Sequence, residues 1–500
     1  MSKKEILIVT LALLLSNAMA GLDGTIVNTA LPAIISDLNA IQYMGWIVSV
    51  FLLGMAVATP LWSKLGERIG NKKAYELATL LFAVGSTFQA VSSNIILFLI
   101  ARTIMGIGAG GMNTIPFIIY ADLYEDLRKR AKVVGYATAS FSAAAIIGPL
   151  IGGWLVDTFS WHWVFYINVP IALISILSIK VFFKEPKKTI KSEKIDYLGA
   201  GIMIISLVTL LTGIQMIETA SLYLVSFLII VGLILLIVLF KVEEKATDPI
   251  IPNRLFKNGQ LVADFILFAL LWGAFVAFNI YIPMWAQGLL GLSALIGGAT
   301  QIPGAVTNFA GSVVGSHMQL RLGKYHIVTL GTLAFIISFG IMALCGVEVP
   351  LWILLVAGAF EGFGLGLSFN VLQISVQKDA EKRDIPIATS FAYLLRILSQ
   401  TFMSSIYGVI LNNALNKGVA ESNGQVTIEA LNKLSNSQSV GELPTNLFPM
   451  MRQIMYSGLH NIMLIAVALL TIALVFNIVI QLKIQRTSYY SDENIEIDNV

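Results

Sequence analysis

Apolar runs of about 20 residues recur along this chain, separated by polar connections that carry most of its charge. Fourteen such runs fall near 6–34, 43–62, 74–92, 95–120, 133–157, 162–182, 195–217, 221–240, 260–287, 294–317, 326–346, 350–376, 386–412 and 458–482. At 1.5 Å per residue a run of that length crosses a hydrocarbon core ~30 Å thick. Backbone groups in hydrocarbon must be satisfied within their own segment, so the pattern predicts helices throughout. The expected fold class is all-α integral membrane, with 14 transmembrane helices. Lys3, Lys4, the apolar stretch 6–15 and Ala18-Met19-Ala20 look like a signal peptide. The first run continues to Ile35, too long for a signal core, so an uncleaved first helix is expected.

Lysine and arginine orient the spans. Taking the loops alternately with the N-terminus inside, the outer loops hold only Lys417, Lys433 and Arg452, all in one connection. Arg102 and Arg396 lie within spans, and every other one of the 32 basic residues falls on the inner side. The asymmetry places both termini in the cytoplasm. The connection 413–457, rich in Asn, Ser and Gln, reads as an exposed loop with some helix around Val426 to Leu434. The acidic tail 485–500 reads as disordered.

A short internal repeat suggests the architecture. Ser63-Lys64-Leu65-Gly66-Glu67-Arg68-Ile69-Gly70 after the second span and Ser316-His317-Met318-Gln319-Leu320-Arg321-Leu322-Gly323 after the tenth share S-x-[LM]-x-x-R-[IL]-G. If spans 9–14 repeat spans 1–6, spans 7 and 8 are an inserted pair. The expected domains are a six-helix half at 1–190, the inserted pair at 191–258, a second six-helix half at 259–484 and the tail.

Composition narrows the function. The chain is 57% hydrophobic, and its 12% of charged residues is about half that of a soluble domain. Cys345 stands alone in an apolar span, and His162, His317, His326 and His460 are scattered, so neither a disulfide nor a metal site is expected. No G-x-x-x-x-G-K-[ST] phosphate loop occurs, so the chain is not its own ATPase. No cluster of nucleophiles or metal ligands suggests an enzyme, and neither a nucleic-acid partner nor a cofactor is expected.

The charges inside the spans are the candidate chemistry, because a charge in hydrocarbon is costly and rarely idle. Asp23 lies ~16 Å from the outer end of the first span and Arg102 ~12 Å from the outer start of the fourth, so their depths match. Glu361 and Arg396 form a second acid and base, both ~16 Å deep. For each pair the alternative is a static ion pair. In the fifth span Gly148, Pro149, Gly152 and Gly153 combine a small-residue face with a missing backbone donor, which suits either ordinary close packing or a pivot. At the inner turn after the second span, Glu67, Arg68 and Gly70 are positioned to latch onto Asp122 at the end of the fourth; a solvated charge run is the alternative.

Together these residues resemble the major facilitator superfamily, and within it the fourteen-helix drug:proton antiporter branch (EmrB/QacA-like). Leu22-Asp23-Gly24-Thr25-Ile26-Val27-Asn28-Thr29-Ala30-Leu31-Pro32 is similar to that branch's first-helix motif throughout. Gly148-Pro149-x-x-Gly152-Gly153 is similar to the core of its antiporter motif, Trp161 to Pro170 to the segment entering helix 6, and Arg102 to the fourth-helix motif arginine. Ser63, Glu67, Asn71, Ala144 and His162 depart from the usual Gly, Asp, basic, Gly and Arg residues.

The resemblance implies two halves that rock around a central site, powered by the proton gradient. It implies a plasma-membrane antiporter that exports lipophilic, cationic compounds as a monomer, with protons, substrate and bilayer as its partners. Asp23 would alternate between proton and substrate, with Arg102 adjusting its proton affinity. Glu361 would meet the substrate cation or a second proton. A dedicated exporter of one endogenous metabolite, lipid or peptide on the same scaffold is the alternative, and an uptake symporter is a further one.

Overall fold

The computed structural model describes the backbone apart from residues 125, 186–196, 218–219, 245–252, 320, 382–384, 437–438 and 498–500; some helical side chains, including that of Glu67 and all from 484 onward, are also outside the description. The helices are α1 (Lys3–Asp37), α2 (Met44–Ile69), α3 (Asn71–Ala90), α4 (Ile95–Leu123), α5 (Leu127–Thr158), α6 (Trp163–Tyr166), α7 (Asn168–Phe182), α8 (Tyr197–Gln215) and α9 (Leu222–Glu243). They continue with α10 (Gly259–Met284), α11 (Ala294–Ala299), α12 (Ile302–Met318), α13 (Lys324–Leu344), α14 (Leu351–Asp379), α15 (Ile385–Glu421), α16 (Ile428–Leu434) and α17 (Phe448–Ile497). No strand occurs among the described residues.

Among the described residues, eleven helical segments are long and apolar enough to cross a membrane. The runs expected near 74–92, 133–157 and 294–317 fall on α3, α5 and the α11–α12 pair, which are not among them. α3 begins with Lys72 and Lys73, and α11 breaks from α12 at Thr300 and Gln301, ahead of Pro303. Part of α5 lies outside the described side chains, and its described stretch Ala143–Thr158 is apolar. The sixth run also breaks, at Ile167 between α6 and α7.

Two groups of helices pack in the same way. α1 contacts α5 and α7, α4 contacts α2 and α3, and α3 contacts α7. Correspondingly α10 contacts α15 and α17, α14 contacts α12 and α13, and α13 contacts α17. Glycines show why. A Cβ on Gly106 would run into the Phe51 carbonyl of α2, and one on Gly108 into the Phe82 backbone of α3. One on Gly110 would lie 2.9 Å from Met55 O. On α14, Gly362 meets the Gly304 carbonyl, Gly366 the Asn308 carbonyl, and Gly364 the Gly331 and Phe335 backbones. Phe51 thus corresponds to Gly304, Met55 to Asn308 and Phe82 to Phe335, the same separation that relates Ser63 to Ser316. With small residues two apart along α4 and α14, alternate glycines face different neighbours and the backbones touch with no side chain between them.

Cross-contacts join the two groups along α2–α15 and along α5–α11. Ser49 Oγ lies 2.7 Å from both Ser404 Oγ and Ser405 Oγ, and a Cβ on Gly45 would lie 3.0 Å from Gly408 Cα. Helices α8 and α9 pair with each other, and Met203, Leu207, Leu211 and Leu239 cluster with Leu53 of α2 beside that seam. α9 is largely exposed, as a lipid-facing helix would be. Trp154, Phe159 and Trp163 are exposed and in ring contact near the α5–α6 turn, the arrangement of an aromatic membrane-interface belt.

Two expectations need correction here. The 413–457 connection is not simply exposed: α15 runs on to Glu421, α17 starts at Phe448, and Val426, Leu431 and Leu434 around α16 are buried. Asn432 Oδ1 accepts the Ile41 N–H at 2.7 Å, so apolar residues and one buried amide tie the connection down across the bundle. The acidic tail, expected as disordered, continues α17 to Ile497, because no Gly or Pro interrupts it.

Candidate functional site

Asp23 and Arg102 meet inside the bundle. Arg102 Nη1 lies 3.7 Å from Asp23 Oδ2, and the two side chains are 5% and 1% exposed. Long α1 and α4 bring them to the same depth, and the glycines of α4 let it approach α2 closely enough for Arg102 to reach inward. The guanidinium lies 4.2 Å over the Phe51 ring, and its Nε donates to Ile47 O at 3.4 Å. On the other side Asn168 Nδ2 donates to Asp23 Oδ1 at 3.4 Å and to Ser86 Oγ at 3.1 Å. Ser86 Oγ in turn donates to Phe165 O at 2.8 Å. The break at Ile167 makes this possible by ending α6 just after Phe165 and starting α7 with Asn168. Asp23 Oδ2 has no hydrogen-bond partner. One residue on, Gly24 is exposed, and a Cβ there would meet nothing within 4 Å. The carboxylate is thus held by one cation and one amide, with Oδ2 left without a hydrogen bond.

Glu361 is buried at 4% exposure on α14, with Oε1 unpartnered, and Oε2 faces Gly304 of α12. Arg396 does not pair with it. Its guanidinium sits 4.9 Å from the Trp272 and Phe369 ring centroids and 5.1 Å from that of Tyr393. Depth alone matched these two residues, but their rotational phase separates them: Glu361 points at α12 and Arg396 into an aromatic cage.

Gly148, Pro149, Gly152 and Gly153 work as two faces. Cβ atoms on Gly148 and Gly152 would strike Thr25 and Ile26 of α1. A Cβ on Gly153 would strike the Leu295 backbone of α11, and one on Gly298 would strike the Pro149 carbonyl. Asp157 closes the same seam, accepting the Ala294 and Leu295 N–H groups at 3.1 and 2.9 Å. A π-turn at Trp285–Leu289 adds Gln287, whose Nε2 donates to Thr29 O at 3.1 Å. These last contacts have no sequence signal.

The inner turn is where the latch of Glu67, Arg68 and Gly70 onto Asp122 was expected. Gly70 has φ +94°, which favours glycine and sets the bend between α2 and α3. Asp122 Oδ2 accepts from Asn71 Nδ2 of α3 at 3.3 Å, while the Glu67 side chain lies outside the described residues. Glu185, which nothing in the sequence marked, accepts the Asn71 N–H at the start of α3.

A second charge cluster also went unmarked. Lys324 Nζ lies 3.1 Å from both Asp264 carboxylate oxygens and donates to Ser375 Oγ at 2.6 Å and to Asp379 Oδ2. It ties the near ends of α10, α13 and α14 together, and Asp264 is fully buried. Lys324→Met should therefore cost ~3–5 kcal/mol of stability, as removing one partner of a buried ion pair does. Thermal unfolding in detergent checks this: the midpoint should fall, and Asp264→Asn added to Lys324→Met should recover much of it.

The general model of the major facilitator superfamily matches residues 13–404. The chain belongs to the major facilitator superfamily. It is 30% identical over 445 residues to Multidrug resistance protein 3 of Bacillus subtilis (strain 168), covering 87% of this chain and 86% of that protein. It is 28% identical to the Multidrug efflux pump SdrM of Staphylococcus aureus (strain N315), covering 81% and 89%. Its fold is similar to that of a bacterial homolog of the human lysosomal transporter Spinster, crystallised inward-facing and unoccupied. That match has a TM-score of 0.68 at 16% identity over 95% of this chain and 97% of the other. This facilitator is a multi-pass membrane transporter and not an enzyme.

Proposed function

We propose that this facilitator is a proton-coupled antiporter of the plasma membrane, exporting lipophilic and mainly cationic compounds. The buried Asp23–Arg102 pair carries the reading, because one carboxylate oxygen lacks a hydrogen bond and open space begins at the next residue. Protonating Asp23 removes its attraction for Arg102 and for a cationic substrate alike, so proton and substrate compete for one acid. The multidrug relatives support export of drugs. The antiporter segment supports exchange, since Gly153 and Pro149 pack against α11 where the two helix groups must part.

The architecture of the proposal is 14 spans with both termini cytoplasmic. Residues 1–190 and 259–484 form two six-helix halves, and α8–α9 are an inserted pair over the α2–α15 seam. With the α1–α2 turn outside, the bonds of Thr29, Ile41, Ser49 and Asp157 to the second half close the outer side. Glu361 is the second acid of the cycle. The chain works as a monomer without a cofactor.

Everted vesicles acidified inside test this. Addition of several unrelated lipophilic cations should collapse the pH gradient in vesicles holding the protein and leave control vesicles unchanged. A response to a single endogenous compound, with none to the cations, would replace multidrug export by dedicated export.

A further inference from the structure

Arg396 is the charge this mechanism leaves without a partner. It sits mid-helix on α15, part-exposed, and its Nε is buried with no hydrogen bond. Among the described residues no carboxylate pairs with it. Trp272 of α10, Phe369 of α14 and Tyr393 of α15 surround the guanidinium, all three with ring centroids within about 5 Å. Tyr393 interacts with the Asn113 side chain of α4, so the cage reaches the first helix group. Ring faces attract a guanidinium but satisfy none of its N–H donors. A charge held in apolar surroundings with open donors is a built receptor for an anion. The planar fork matches a carboxylate in particular.

We propose that Arg396 and its aromatic cage bind an acidic group attached to a flat or apolar body, so that the exported compounds include amphiphilic acids and zwitterions as well as cations. In a zwitterion the cationic end is then left for the acids Asp23 or Glu361. The proposal rests on the export reading only for the word exported; the binding site stands on its own geometry.

The test uses the full-length protein in nanodiscs and a pair of xanthene dyes, one with a free carboxylate and the other its ethyl ester. The wild type should bind the acid about 10- to 100-fold more tightly than the ester, the range for a hydrogen bond to a charged group. Arg396→Gln should erase that ratio whatever happens to absolute affinity. Arg396→Lys, which keeps the charge without the fork, should retain a few-fold preference, and it decides the matter if Arg396→Gln is not monodisperse. Equal binding of acid and ester by the wild type, or a ratio untouched in the variants, overturns the proposal. Repeating the titration with phosphatidylglycerol in the nanodisc separates sources: loss of the acid preference assigns the site to a lipid acid, and its survival assigns it to a dissolved compound. If the ratio behaves as stated while no dye moves protons in everted vesicles, the export reading fails and the site remains.

Discussion

Asp23→Asn should abolish dye-driven collapse of the pH gradient, and the double variant Asp23→Asn/Arg102→Gln should not restore it. Stability follows a different order. Asparagine keeps the shape of the side chain and the bond from Asn168, but it leaves the Arg102 guanidinium buried without its counter-charge. Breaking a buried pair from one side costs ~3–5 kcal/mol, whereas removing both charges is far less costly. The single variant should thus unfold at a lower temperature in detergent, and the double variant should recover most of that loss. Transport that stays dead in a double variant of near wild-type stability separates an acid that carries the proton from one that merely holds α1 to α4. Proton movement that persists in Asp23→Asn would remove Asp23 from the coupling step.

Gly153→Val should open the α5–α11 seam. Its Cβ would enter the Leu295 backbone, and neither helix has a flexible side chain there that could give way. Overpacking of this kind costs ~1–3 kcal/mol, which shifts a two-state equilibrium by about 5- to 150-fold. The state with α5 against α11 should lose population by that factor. A membrane-impermeant maleimide reads this out on Ala294→Cys, introduced after Cys345→Ser removes the chain's one cysteine. Labelling from outside the cell should be slow in the parent and faster by that factor with Gly153→Val, and efflux should fall. Gly201→Val on α8 is the control, since a Cβ there meets nothing within 4 Å. Equal labelling of all three proteins would mean that α5–α11 packing does not gate outer access.

The hydrophobic pattern made the helices legible because hydrocarbon admits few alternatives to a self-bonded helix. Depth arithmetic also brought Asp23 to Arg102, since both lie on unbroken helices whose rise is fixed. It failed for Glu361 and Arg396, where equal depth hides a difference in rotation that only the packing of α12 against α14 sets. The Asn168–Ser86 support needed the break at Ile167, and the bond from Gln287 needed a π-turn; both are local departures from helical period. At the inner turn the charged residues of the motif were visible, while the bond from the uncharged Asn71 to Asp122 carried no sequence signal. The Lys324 cluster stayed hidden because Asp264, Lys324 and Asp379 are far apart in sequence and each sits near a helix end, where charge is unremarked.

The hydroxyl contacts between α2 and α15 bear on how the molecule moves. Ser49 Oγ reaches Gly45 O on its own helix at 2.6 Å, and Ser404 and Ser405 each reach Thr401 O at 2.9 and 3.1 Å. Every hydroxyl that crosses the seam therefore already holds an acceptor at home. When the helices separate, each proton has an acceptor on its own helix to turn to, so no bare donor need face lipid. Leucines at these positions would grip by shape and would have to be prised out of their sockets. Serines would let go cleanly, so where the two helix groups part this seam would act as a clasp that opens and refastens, with the glycine-packed interiors of α4 and α14 moving as solid blocks on either side.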